Sequence, residues 1–205
     1  MTTEDDFPTD DLDHAFSAVW RMLGEGASNR RSIFHTPALV SVGLDGWPKA
    51  RTVVLRSVDR ENATLRCHTD LRSPKVAELE GNPKVGVLAY DPGQKLQVRL
   101  QGTARIETSG EVADGAWASS TLWARRCYAA PLAPGTRTDA PFSNLTEALV
   151  ARQPTEEEAE GGRGNFATIT VEVVRIDWLY LLARGHSRAL HVRDGAEWTH
   201  SWLAP

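Results

Sequence analysis

The chain has 205 residues, 41% hydrophobic and 24% charged, which fits one folded domain with its own core rather than a disordered chain. A formal net charge of −4 argues against a general nucleic-acid binder, whose surface must be basic, but leaves room for a few arginines to hold a small anion. Cys67 and Cys127 form no C-x-x-C pair and read as reduced thiols. The polar, acidic start and the lack of any apolar run near the roughly 20 residues needed to span a bilayer set the expectation of a cytoplasmic protein with no membrane contact.

Residues 1–10 are expected to be a flexible N-terminus, and 11–205 a single domain with a loop and linker insertion around 129–164. Leu12, Ala15, Phe16, Val19, Trp20 and Leu23 recur at helical spacing, with Thr9 or Asp10 as the cap and Gly24 as the stop. From Ala38 the period becomes two: a strand over 38–43, a turn at Asp45-Gly46, and a hairpin partner over 49–58. A turn over 59–62 precedes a strand over 63–69. Ser73-Pro74 opens a short helix reaching Gly81, proline being tolerated in its first turn. Strands are expected over 84–90 and 95–107, joined by Asp91-Pro92-Gly93. On the second of these Leu96, Val98 and Leu100 alternate with Gln97, Arg99 and Gln101.

A helical stretch is expected over 111–127, a long loop over 131–141, and a solvated acidic linker over 156–162. Strands over 166–177, 178–182, 190–193 and 198–202 complete the chain, the last two joined at Asp194-Gly195. Six to eight strands with consecutive hairpins imply a mainly β protein, an antiparallel sheet with peripheral helices, and closure into a barrel would remove its edges.

Several motifs carry little. Gly24-Glu25-Gly26 follows a helix and has Asn29 where a dinucleotide fingerprint needs glycine. The histidines have no metal-ligand spacing, so no metal site is expected. Four places stand apart. Arg51-Thr52-Val53-Val54-Leu55-Arg56 has an arginine at each end, and these reach one anion only across a bulge or strand end. His68-Thr69 precedes Ser73-Pro74-Lys75, where a helix start, a hydroxyl and an ammonium can meet an anion. Gln97 lies on the polar face of the long strand. Trp178 is followed by Arg184-Gly185-His186-Ser187-Arg188. Each alone is compatible with a solvated charge or a simple cap.

In order and spacing the four together resemble the pyridoxamine 5'-phosphate oxidase family, the FMN-binding split barrels, over residues 38–107 and 166–205. The resemblance implies an antiparallel split β-barrel. It implies that Arg51, Thr52, Val53, Val54, Leu55, Arg56, His68, Thr69, Ser73, Lys75, Gln97, Trp178 and Arg188 contact FMN, and that Arg184 and His186 face the substrate. It further implies a homodimer with flavin sites at its interface, a small phosphorylated substrate, and hydride transfer to the flavin with reoxidation by dioxygen. The chain departs from the family pattern with Arg56 for lysine, His68 for tyrosine and Pro74 for arginine, and arginine and lysine are not equivalent at a phosphate. The alternatives are therefore an FMN oxidoreductase acting on a different substrate, or a non-enzymatic FMN-binding protein.

Overall fold

A computed structural model describes residues 10–205; residues 1–9 of the expected flexible N-terminus, with the Thr9 cap, lie outside them. Nine strands form one antiparallel sheet: β1 (Ala38–Val42), β2 (Pro48–Thr52), β3 (Leu55–Asp59), β4 (Thr64–Asp70), β5 (Lys84–Asp91), β6 (Leu96–Glu107), β7 (Phe166–Tyr180), β8 (Ser187–Asp194) and β9 (Glu197–Leu203). The path runs β2-β1-β5-β6-β7-β4-β3, with β8 and β9 branching from β7.

Two features of that order give the architecture. β2 and β3 stand at opposite ends of the seven-strand path, yet only Val53 and Val54 separate them, so the sheet must curl until its ends approach. The residues expected as one strand over 49–58 thus form two, because β2 pairs with β1 while β3 pairs with β4. The second feature is β7, whose far edge is shared. Its first half pairs with β4 from Phe166 to Glu172, and its second half with β8 from Arg175 to Tyr180. The sheet forks at that edge and the barrel is split rather than closed.

The fork falls where the β6–β7 register slips, between Gln101 and Gly102. A Cβ on Gly102 would run into the Glu172 carbonyl and lie 2.8 Å from Val171 Cγ1. Backbone cannot move aside as a side-chain tip can. Gly102→Ala is expected to cost about 3 kcal/mol, read as a melting temperature lower by roughly 6–12 °C.

Helix α1 (Leu12–Ser28) packs against β3, β8 and β9, covering the divergence of the two branches. Its cap is Asp11, whose carboxylate accepts from the Asp13 and His14 amides, and not Asp10. The helix also continues past Gly24. At Gly26 a Cβ would sit 2.6 Å from the Phe34 backbone, so that glycine serves the close approach of the following turn, not the end of the helix.

Phe16 of α1 packs against His191, Trp198 and His200. His191 is fully buried, its Nδ1 2.8 Å from that of His200. Burial, and then the neighbouring His200, pushes its pKa down to about 4. Below its unfolded value near 6.5 the unfolded chain takes up a proton that the folded chain refuses. The stabilisation is therefore complete above pH 6.5 and is lost as pH falls toward 4. An asparagine amide can replace Nδ1 without titrating. His191→Asn is expected to recover roughly 2 kcal/mol of the stability lost between pH 7 and pH 5, measured as melting temperature against pH.

The remaining helices differ from expectation in two places. The stretch over 111–127 is broken into α3 (Gly110–Ser119), α4 (Leu122–Arg125) and a 3-10 turn, with Thr121 recapping α4. A short α5 (Glu147–Ala151) follows. The acidic segment expected as a linker is α6 (Glu156–Glu160), started by a reciprocal Thr155–Glu158 capping box and anchored by the buried Ala159. Residues 178–182, expected as a separate strand, begin as the end of β7. No helix among the described residues is long and apolar enough to cross a membrane.

Candidate functional site

The first cluster forms where β4 meets α2 (Pro74–Gly81). Alternation turns Leu65, Cys67 and Thr69 to the inside of the barrel, and Arg66 and His68 to the other face. Ser73 stands at the N-cap of α2, but its hydroxyl makes no capping bond. Instead it accepts from Lys75 Nζ at 2.8 Å, and Thr69 Oγ1 accepts from the same ammonium at 3.2 Å. Thr69 and Ser73 are buried and Lys75 is half-buried. Burial, and then the positive charge of Arg51, lowers the Lys75 pKa. Arg51 donates to Ser41 Oγ at 2.5 Å and to Glu78 Oε2 at 2.7 Å, so a carboxylate of α2 locks it in place.

The second arginine of the motif is turned elsewhere. Thr52 ends β2 exposed, Val53 and Val54 bridge the strands, and Leu55 enters the core. The β3–β4 register then slips between Leu55 and Ser57, which leaves Arg56 as the bulged residue. Arg56 lines a cavity of about 500 Å³ with Val54, Arg66, His68, Arg30 and His35, closed on one side by Ser119, Ser120, Thr121 and Trp123. Burial first, then Arg56 and Arg66, pushes the His68 pKa down to about 4, so its ring is neutral at pH 7. Its ring meets Phe166 edge-on at 4.9 Å. Cys67 feels both Lys75 and Arg56, but burial dominates and raises its thiol pKa to about 11.

The other expected residues lie on a different part of the sheet. Gln97, Leu179 and Arg188 are register partners across β6, β7 and β8, so Gln97 and Arg188 share the outer face. Arg188 is tied to Asp177 at 2.8 Å, and Arg99 donates to the same carboxylate at 2.6 Å. Burial pushing the Asp177 pKa up is outweighed by these bonds from Arg188 and Arg99, and the net shift is downward. Trp178 points the opposite way, fully buried in the core, with no hydrogen-bond partner for its indole N–H among the described residues. Arg184 and His186 are exposed on the loop before β8, and neither lines the Arg56 cavity. One chain thus holds the expected residues in separate places: the Lys75 cluster and the Arg56 cavity on either side of β4, and Gln97 and Arg188 on the outer face of β6 and β8.

Arg30, Arg66, His35 and the 119–123 segment of that cavity were not among the expected residues. Alternation on β4 offers a signal for Arg66, two positions before His68; nothing local announces Arg30, which enters from the end of α1. Among the described residues no group of three or more His, Cys, Asp or Glu could hold a metal ion.

Residues 17–108 match the FMN-binding domain of pyridoxamine 5'-phosphate oxidase. A pyridoxine/pyridoxamine 5'-phosphate oxidase of Chromobacterium violaceum is 30% identical, the match covering 82% of this chain and 77% of that one. The chain belongs to the pyridoxamine 5'-phosphate oxidase family. Another member, pyridoxine/pyridoxamine 5'-phosphate oxidase 2 of Arabidopsis thaliana, is 26% identical over 80% of this chain and 84% of its own. The family fold is matched in a pyridoxamine 5'-phosphate oxidase-related, FMN-binding protein of Nostoc punctiforme, with a TM-score of 0.73, 22% identity, and coverage of 92% of this chain and 96% of that one. PhzG of Burkholderia lata, solved with tetrahydrophenazine-1-carboxylic acid, gives a TM-score of 0.68 at 20% identity, covering 100% and 97%.

FMN is the cofactor of this family's domain. The donor chemistry fits it: an ammonium, two hydroxyls and a paired arginine gather at one end of a strand, as a phosphate monoester requires.

Proposed function

We propose that the chain is an FMN-dependent oxidoreductase of the pyridoxamine/pyridoxine 5'-phosphate oxidase type, acting on a small anionic, phosphorylated substrate. The observation that carries this reading is the pairing of two anion-accepting groups across β4: Lys75 with Thr69 and Ser73 on its inner side, and the Arg56 cavity on its outer side. In this reading Lys75, Thr69, Ser73 and Arg51 hold the cofactor phosphate. The 52–56 stretch and His68 lie along the rest of the cofactor, and Arg56 faces the substrate. FMN would supply the redox chemistry there, with the substrate carbon as hydride donor and dioxygen as the final electron acceptor. The side chains orient and exclude water; His68, neutral at pH 7, offers hydrogen bonding without adding charge.

We propose also that two copies assemble. Gln97, Arg188, Arg184 and His186 lie away from the Arg56 cavity within one chain, and a two-fold partner would bring them to it, with Arg184 and His186 positioning the substrate. For Trp178 to touch the cofactor, the core around β7 would have to open. Sedimentation is expected to show a dimer carrying two flavins; a monomer that retains FMN would remove the second copy from the account.

The deciding experiment is the absorbance of the purified protein, then pyridoxal 5'-phosphate formation from pyridoxamine 5'-phosphate in air. A yellow protein that forms the product is the expected result. A yellow protein that does not, but whose flavin is bleached anaerobically by another reductant, would favour a different substrate on the same scaffold. The arginines Arg30 and Arg66 in the cavity favour that second reading. A flavin that no reductant bleaches would mark a binding protein without catalysis.

A further inference from the structure

Arg30 from the turn after α1, Arg56 from β3 and Arg66 from β4 line one cavity that contains no aspartate or glutamate among the described residues. Arg51, Arg72, Arg99 and Arg188 each pair with a carboxylate. Arg30, Arg56 and Arg66 have no hydrogen-bond or ion-pair partner among the described residues, and Arg66 Nε is buried without one. Like charges sharing a cavity repel, and a buried guanidinium N–H left unpaired is costly. An anion in the cavity offsets both.

That anion is not the cofactor phosphate of the proposed function. Lys75 gathers Thr69 and Ser73 on the inner side of β4, whereas Arg66 and His68 project from the outer side of the same strand. One phosphate cannot occupy both. His35 adds no donor to the outer group: its Nδ1 lies 2.6 Å from the Gly26 carbonyl, which only accepts, so in the neutral ring the proton sits on Nδ1 and Nε2 is an acceptor, leaving the arginines to supply the donors.

We propose that Arg30 and Arg66 bind an acid group of the substrate, a carboxylate or a phosphate, and so select anionic substrates at the Arg56 cavity. The guanidinium fork matches either group. This rests on the flavin reading only in calling the occupant a substrate; the anion site itself does not depend on it.

The test is calorimetric titration of the FMN-loaded protein at low ionic strength with benzoate, phenyl phosphate and the neutral benzyl alcohol. At least one anion is expected to bind about tenfold or more tightly than benzyl alcohol, and the stronger of the two identifies the acid group. Arg30→Met and Arg66→Met are each expected to weaken that anion about tenfold while FMN affinity, followed by fluorescence, changes less than about threefold. Arg30 is exposed, so if Arg66→Met does not fold, Arg30→Met carries the test with Arg66→Lys beside it. Equal binding of all three probes overturns the proposal, as does anion affinity that ignores both substitutions. A fall in FMN affinity matching the fall in anion affinity also overturns it, because the arginines would then serve the cofactor. A wild-type chain that takes up no FMN yet binds the anions through Arg30 and Arg66 would remove the flavin reading and leave this one standing.

Discussion

Lys75→Met is expected to weaken FMN binding by about ten- to a hundred-fold, the effect of losing one or two charge-assisted hydrogen bonds, while the cofactor-free protein melts no lower than the wild type. The two readouts move apart because the ammonium is poorly placed for the empty fold. It is half-buried, with burial and the charge of Arg51 both acting against its protonated form, and two neutral hydroxyls as its hydrogen-bond acceptors. Methionine has similar length and no charge to desolvate. An anion arriving at Thr69 and Ser73 reverses this balance, since the ammonium then faces an opposite charge in a partly dry site. Fluorescence titration of FMN and thermal melting without it measure the pair. If FMN affinity stays the same, the phosphate is held elsewhere; if the free protein is strongly destabilised, Lys75 is a structural strut.

Arg51→Met is expected to destabilise the protein by about 3 kcal/mol, the larger effect of the two on the fold itself. Arg51 is the cation paired with Glu78, whose side chain is 9% exposed and whose other close partner is the buried hydroxyl of Ser41. Removing the guanidinium leaves a carboxylate out of water with one neutral donor. Glu78→Gln in the same chain removes the stranded charge, and the double variant is expected to recover at least half of the loss. The non-additivity, read from chemical denaturation of all four chains, measures the coupling. FMN binding is expected to fall in both Arg51 variants, because restoring stability does not restore the cation. Additive stabilities would show that Arg51 and Glu78 act separately.

Much of the fold was legible locally. Alternation in β6 and β7, the helical stripe of α1, and the turns at Gly46 and Gly195, both with positive φ, follow from side-chain periodicity and backbone sterics within a few residues. The Thr155–Glu158 box was equally readable, but the acidic run around it suggested a solvated linker and hid the cap. The strand over 49–58 was read as one because nothing within it marks the change of pairing partner at Val53 and Val54. That change depends on β1 and β4, which lie on either side in sequence and at a distance along the sheet.

The sequence by itself determined the strand periods, the order of the anion-binding motif and the need for a bulge or a strand end if Arg51 and Arg56 were to meet one anion, because each depends on neighbours along the chain. Only the tertiary structure decided that Lys75 and Arg66 serve opposite sides of β4, that Trp178 enters the core, and that Arg30 joins Arg56 in one cavity. Those outcomes follow from the forking of β7 and the curl of the sheet, which bring together segments far apart in the chain, and no local pattern encodes where such segments meet.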